Sequence, residues 1–344
     1  VSGIARGLGN RAVVRVLMAC SLAKICRPDV DVRRPYTEIG TPDSFSGRTY
    51  DTLYVGEFCT EHRLPVNPTT AFLTPALRNI NAPLAPPMVI IGRPRSMYAD
   101  MITLLAAVAQ GDLAADDLLA ECIRELLILR NEQDARLAQL LRELATAQGE
   151  ISLSSEDIVK LIEQHLNSKH ASRLPVLVVA AVYQAASKQF GEQAKPLQVH
   201  NAADRQTKSL GDVEITLVGD DRIITTYEMK DKEITMEDIQ VALAKLHHSP
   251  VRPDNYLFVT TEATDKRIVE YAGGLYKTTG VEFAILDCTA FLRHFLHLFH
   301  RFRLQFLDAY QALVLDEPTS GVSQPLKEAF LSLRRAAEYN NNTD

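Results

Sequence analysis

Residues 211–230 read Gly211-Asp212-Val213-Glu214-Ile215-Thr216-Leu217-Val218-Gly219-Asp220-Asp221-Arg222-Ile223-Ile224-Thr225-Thr226-Tyr227-Glu228-Met229-Lys230, and this stretch decides the fold. Val213–Val218 and Ile223–Met229 are β-prone runs, and Gly219-Asp220-Asp221 between them is the composition of a hairpin turn. Side chains on a strand alternate between faces, so Glu228 and Lys230 point the same way, and an antiparallel partner can place Asp212 beside them. Two carboxylates and an ammonium then converge at one end of the hairpin. Such an arrangement is expensive, because like charges raise each other's cost of ionisation. A divalent cation relieves that cost. Mg²⁺ favours oxygen ligands and keeps waters, so Asp212 and Glu228 are its expected ligands, with Lys230 orienting or helping to deprotonate an attacking water. Glu214 lies two residues after Asp212 on the same face. It is either a third acid of the metal site or a partner for a nearby Lys.

Outward from the hairpin, Thr235 caps a helix that runs to about His247, Tyr256–Thr260 is a strand, Lys266–Thr278 a helix and Val281–Leu286 another strand. Alternating strands and helices predict an α/β fold, a mixed β-sheet flanked by helices. Two more helices follow, over Ala290–Tyr310 and Gln324–Tyr339, and the tail Asn340–Asp344 frays. Upstream, an apolar helix starts at Pro175 and ends near Phe190, with the character of one buried against a sheet. A shorter helix after the Ser154/Ser155 cap carries Ile158, Leu161 and Ile162. Over 97–147 the helical period is strong, with Leu118, Leu119, Cys122, Ile123, Leu126 and Leu127 forming a broad apolar stripe. Residues 28–94 hold ten of the sixteen prolines and keep no helical period, but interleaved Tyr36, Phe45, Tyr50, Tyr54, Phe58 and Phe72 can anchor them as ordered loops. Residues 1–27 read as one helix. The resulting division is a helical and loop-rich region over 1–150 and an α/β domain with C-terminal helices over 151–344.

With 344 residues, 46% hydrophobic and 23% charged, the chain has ordinary globular composition, which excludes a disordered or fibrous polymer. The five cysteines are scattered and form no CxxC pair, so neither a disulfide framework nor a four-cysteine zinc site is supported, and a reducing cytoplasm is the expected location. No apolar run approaches the roughly 20 residues of a membrane span. The signal-like run Ala12–Ala23 is interrupted by Arg15 and followed by Lys24 and Arg27, which reads as a core helix. The net charge of −6 divides into a formal +4 over residues 1–100 and −10 beyond, which fits a local site for an anion near the front of the chain.

The order acid, hairpin, Glu-x-Lys, helix resembles the PD-(D/E)xK nucleases, with Gly211 standing where that pattern has Pro. A lone Glu-x-Lys carries little, and its surroundings carry more. Longer segments are similar to the SacI-family type II restriction endonucleases. They are Arg34-Pro35-Tyr36-Thr37-Glu38-Ile39-Gly40, Ser46-Gly47-Arg48-Thr49-Tyr50-Asp51, Asn67-Pro68-Thr69-Thr70-Ala71-Phe72-Leu73-Thr74-Pro75, His200-Asn201-Ala202-Ala203-Asp204, the 211–230 block, and Phe291-Leu292-Arg293-His294-Phe295-Leu296-His297-Leu298-Phe299-His300. The resemblance, from about Asp31 to Ala337, implies a PD-(D/E)xK core and Mg²⁺-dependent cleavage of double-stranded DNA at a short palindrome, GAGCTC for the family's namesake. A palindrome implies a homodimer, each subunit meeting one half-site.

Arg33, Arg34 and Arg48, with Thr49, Tyr50 and Asn67, are the candidate DNA-reading residues, since Arg bonds guanine bidentately and hydroxyls hold phosphates. The alternative is that these arginines pair with Asp31, Glu38, Asp43 and Asp51 and fix the loop. Thr69, Thr70 and Asn79 are weaker readers. His294, His297 and His300 drift by about 300° around a helix and so share no tetrahedral metal site, and His247-His248 diverge as surface groups. Gln240 and Lys245 either reach the scissile phosphate or lie on a solvated helix face. Rival functions are a repair or recombination nuclease without strict sequence choice, and a non-enzymatic helical interaction protein with an inert hairpin.

Overall fold

The computed structural model describes residues 1–7, 11–67, 69–147, 152–198 and 209–340. The segment 200–204, Pro68 and the tail 341–344 thus lie outside the described residues. The chain forms two compact units, Val1–Arg136 and Leu137–Asp344. The division falls inside one long helix, upstream of the sequence boundary at 150, because Leu137, Leu140 and Leu144 of that helix pack into the core of the second unit.

In the first unit, the helix expected over 1–27 is seen as Ser2–Ala5 and α1 (Ala12–Cys26), and Gly7, a poor helix former, follows the first of these. Pro28 ends α1 by forcing Arg27 into an extended conformation, φ −136° and ψ 90°. Almost every residue of α1 is buried. Around it pack α2 (Arg95–Gln110), the first half of α3 (Ala115–Ala147) through Leu118, Cys122 and Leu126, and loop residues including Val30, Phe45, Phe72 and Leu84. The 28–94 region is thus ordered by its apolar anchors, with short helices at Gly47–Tyr50 and Gly56–Glu61.

The second unit is a mixed α/β fold around a five-stranded sheet in the order β1 (Glu192–Ala194), β2 (Val213–Leu217), β3 (Ile223–Lys230), β4 (Asn255–Thr260), β5 (Glu282–Asp287). The β1/β2 and β2/β3 pairs are antiparallel, β3/β4 and β4/β5 parallel. The short edge strand β1 has no signal in the sequence. Val213, Ile215, Tyr227, Met229 and Val259 share one face, which packs against α5 (Leu174–Phe190) in a core that α4 (Ser155–Leu166) also enters. Ser154 and Asp157 close a capping box on α4, and Pro175 sits in the first turn of α5. The opposite face carries Tyr256, Phe258 and Phe283, covered by Ile239 and Ala242 of α6 (Met236–His248) and Ala272 of α7 (Lys266–Gly274). Beyond β5 come α8 (Cys288–Leu298), α9 (Arg303–Asp316) and α10 (Gln324–Asn340). The single helix expected over Ala290–Tyr310 breaks at Phe299, whose ring lies 5.0 Å from that of Phe190. Among the described residues, no helix is long and apolar enough to cross a membrane.

Candidate functional site

The parallel strands β3, β4 and β5 all end on one rim of the sheet, the rim at which β2 begins. Val213 pairs with Tyr227, and the Asp212 N–H donates to the Tyr227 carbonyl at 2.8 Å, so Asp212 sits at the paired end of β2 beside the last residues of β3. Glu228 and Lys230, two residues apart on β3, share a face, and the Asp212 carboxyl lies close enough to feel the charges of Glu228, Lys245 and Lys230. Gly211 makes this approach possible. A Cβ at that position would lie 2.5 Å from the Tyr227 carbonyl oxygen and 2.6 Å from Thr226 Cγ2, so there is no room for a Pro ring where the nuclease pattern has one.

Asp212 Oδ2 accepts the Met229 N–H at 2.7 Å, and among the described residues Oδ1 accepts nothing. Burial holds this carboxyl above its ordinary value. The Glu228 charge adds to the rise, while the Met229 N–H and the ammoniums of Lys245 and Lys230 partly offset it. Glu228 is held from two sides: Lys230 Nζ lies 3.1 Å from Oε1 and Lys245 Nζ 3.1 Å from Oε2. The Tyr256 hydroxyl is 3.3 Å from the same Oε2 and 3.0 Å from the Leu210 carbonyl. Burial alone would lower the Lys230 pKa, but the Glu228 and Asp238 carboxylates together outweigh it and the net shift is upward. Lys230 therefore stays an ammonium, suited to donating hydrogen bonds rather than taking a proton. Asp238 Oδ1 lies 3.7 Å from Lys230 Nζ and from Lys232 Nζ, while its Oδ2 caps α6 through Thr235.

Lys245 is the correction to the sequence reading of a solvated helix face. It follows Ala242 by one turn, at the edge of the buried stripe of α6, and is half-buried against Glu228. Gln240 is exposed. Tyr256 and Asp238 join the cluster without any signal in the sequence, because the β3/β4 register and the tilt of α6 leave no local pattern. Glu214 is engaged elsewhere: Oε1 accepts from Leu210 N–H at 2.8 Å and Ser209 Oγ at 3.0 Å, and Lys195 Nζ lies 3.2 Å from Oε2. Among the described residues, no group of three or more His, Cys, Asp and Glu is arranged to hold a metal. The donor set nevertheless suits a two-carboxylate site: Asp212 offers an open oxygen, and neighbouring acids gain from a shared hard cation. A polar cleft of ≈ 590 Å³ opens beyond the strand ends, lined by Asp231, Thr261 and Glu262 with several serines. None of Asp212, Glu228 and Lys230 lines it.

In the first unit, Arg33 is forked onto Asp31 at 2.9 and 2.7 Å, and Arg34 bonds Thr41 and Asp43 at 2.9 and 3.1 Å. These two arginines thus have the salt-bridged arrangement. Tyr50 packs edge-on to Phe45, and the Asn67 carbonyl accepts from buried Arg15. Arg48 and Thr49 are exposed, and Thr49 bonds Ser46 at 2.7 Å. They line a cleft of ≈ 770 Å³ together with Arg78, Asn79 and Asn81. Among the described residues, neither Arg48 nor Arg78 makes an ion pair. Of the histidines, His297 binds Glu156 at 2.8 Å, His294 lies in an apolar cleft with Phe291 and Leu298, and His248 Nδ1 is 2.7 Å from its own helix's Ala244 carbonyl.

Comparison with known families is informative about the second unit. The family model described as the SacI restriction endonuclease C-terminal domain matches residues 150–268. That span takes in α4 to α6, β1 to β4 and every residue of the Asp212–Glu228 cluster. The quoted segments of the first unit, and Phe291–His300, lie outside it. No curated protein matches the chain.

Proposed function

We propose that this chain, a SacI-family restriction endonuclease by its C-terminal domain, is a type II enzyme that hydrolyses phosphodiester bonds of double-stranded DNA at a short palindromic site, with GAGCTC the first sequence to test. The observation that carries the reading is the Asp212 carboxyl bonded to the Met229 N–H beside the Glu228–Lys230 pair, at the rim where three parallel strands end. Ligand and reaction sites of α/β sheets gather at such rims.

Asp212 and Glu228 are the residues that would hold Mg²⁺, which would supply charge neutralisation at the scissile phosphate and a more acidic water. Glu214, tied to Leu210 and Lys195, would join them only after releasing those partners. Lys230 does the positioning. Its ammonium, set between Glu228 and Asp238, donates hydrogen bonds to the attacking water and orients it in line with the leaving oxygen. The Tyr256 hydroxyl, with one proton to give, lies 3.0 Å from the Leu210 carbonyl and 3.3 Å from Glu228 Oε2, so it donates to one or the other, and the two ammoniums do most to hold the acid before substrate arrives. The core is accordingly of the PD-(D/E)xK type, with Gly in the Pro position.

DNA reading falls to the first unit, led by Arg48 and Thr49 with Arg78 and Asn79 in the same cleft. Arg33 and Arg34 present the edge of the loop that Asp31 and Asp43 hold, and Tyr50 and Asn67 support it. A homodimer with isologous contacts matches a palindrome. Digestion of plasmid DNA with Mg²⁺ tests the reading. Discrete fragments are expected; a smear would favour a nuclease without sequence choice, and uncut plasmid would favour an inert hairpin.

A further inference from the structure

Glu228 is a carboxylate with an ammonium on each oxygen, and the two ammoniums are not equivalent. Lys230 belongs to the same strand and is also drawn toward Asp238 at 3.7 Å. Lys245 comes from a different element, the last turn of α6, and its 3.1 Å contact is with the oxygen that also faces the Tyr256 hydroxyl. Of the two, Lys245 also acts more strongly on the Asp212 carboxyl. One long, flexible side chain thus places its positive charge where it serves both Glu228 and Asp212. The side chain is 20% exposed, with an unbranched four-carbon stem that can swing away from the strand rim.

We propose that Lys245 is a built-in competitor for the divalent cation: its ammonium neutralises the Asp212–Glu228 pair in the metal-free protein and must leave Glu228 when the pair takes up metal. This rests on the reading of Asp212 and Glu228 as metal ligands. The chemistry is an exchange of one cation for another at a fixed pair of acids. No bond is made or broken, and the displaced ammonium returns to solvent. Its consequence is a site whose metal affinity is set by a side chain outside the ligand set, and which is kept from the uncompensated repulsion of two neighbouring carboxylates while it waits.

Calorimetric titration with Ca²⁺, in the absence of DNA, tests this without any activity readout. The parent protein is expected to bind Ca²⁺ in a manner abolished in Glu228→Gln. Lys245→Met and Lys245→Gln are expected to bind it about fivefold tighter, the scale of a half-buried ion pair removed from competition. Lys245→Arg keeps a cation there and stays near the parent affinity. Metal-free Lys245→Met is expected to melt lower than the parent, with a larger rise on adding Ca²⁺, which separates folding damage from the absence of competition. If Lys245→Met and Lys245→Gln bind Ca²⁺ no more tightly than the parent while Glu228-dependent binding persists, the competitor role is overturned and the metal reading stands. If the parent shows no Glu228-dependent binding, the metal reading falls and takes this inference with it.

Discussion

Each unit of the molecule contains buried charge, and the two deal with it in opposite ways. In the first unit, Asp51 is wholly buried, with Oδ1 on Arg15 Nε at 2.7 Å and Oδ2 on Thr70 Oγ1 and the Ala71 N–H at 2.6 and 2.7 Å. Arg15 Nη1 donates to the carbonyls of Asn67 and Thr69 at 2.5 and 3.2 Å, and Nη2 to the Asp51 carbonyl at 3.4 Å. In the second unit, Asp212 keeps one oxygen without a partner among the described residues, and Glu228 is held by two side chains that water reaches. The first arrangement pins Asn67 and 69–71 to α1 and engages both Asp51 oxygens. The second leaves valence over. A buried charge whose every lone pair and proton is used is architecture, and one that is only partly used is available for chemistry.

The sharpest way to break that contrast is to remove one acid from each side. Glu228→Ala is expected to abolish Mg²⁺-dependent cutting, a loss of roughly 10³-fold or more given the several kcal/mol that metal assistance supplies. DNA binding measured by anisotropy should stay near the parent level. Retained cleavage by this variant would remove the catalytic assignment. Asp51→Ala does the reverse. It strands the Arg15 guanidinium in a dry core and is expected to cost about 3–5 kcal/mol of stability in the first unit, read as a lowered denaturation midpoint. A midpoint shift under about 1 kcal/mol, on the scale typical of surface pairs, would show that the pair is not structural.

How far the sequence reaches follows the same division. Strand alternation over 213–230, the Thr235 cap and the apolar run after Pro175 are local patterns, so the sheet's central strands and the helices on both faces are legible, and with them the Asp212, Glu228 and Lys230 constellation. Arg15 reads only as an interruption of an apolar segment, because its partner Asp51 lies 36 residues away and no periodicity links them. Lys245 and Tyr256 escape for the same reason. A parallel register and a helix tilt are tertiary facts, and the contacts to Glu228 exist only once both are set. The stop at Phe299 is equally invisible, since no Gly or Pro marks it, and Phe299 there rests its ring 5.0 Å from that of Phe190.

A finer version of the contrast lies within the first unit itself. Arg33 is tied to Asp31, whereas Arg48 makes no ion pair among the described residues. If free cations read DNA and paired ones hold loops, Arg48→Ala should lower the slope of log affinity against log salt by about 0.9, the share of the single phosphate that this guanidinium would neutralise. Arg33→Ala should leave that slope unchanged while loosening the 31–34 turn. Equal slopes for the two variants would place the DNA elsewhere.

The smallest effect concerns the cost of waiting. Because burial and the nearby Glu228 charge raise the Asp212 pKa, the folded chain binds this proton more tightly than the unfolded one does. Stability from this group is therefore fully present below the unfolded value of 3.8 and is lost as pH rises through the raised folded value. Asp212→Asn keeps an acceptor for the Met229 N–H but carries no charge, so it escapes that loss. With chelator present to exclude metal, the variant should melt slightly above the parent at neutral and alkaline pH, and the difference should shrink toward zero as pH falls to 3.8. The same substitution removes a proposed metal ligand, so adding Ca²⁺ should stabilise the parent and not the variant, reversing their order. A variant that melts below the parent in chelator would mean that Lys245 and Lys230 already compensate Asp212 in full, leaving its charge as well satisfied as that of Asp51.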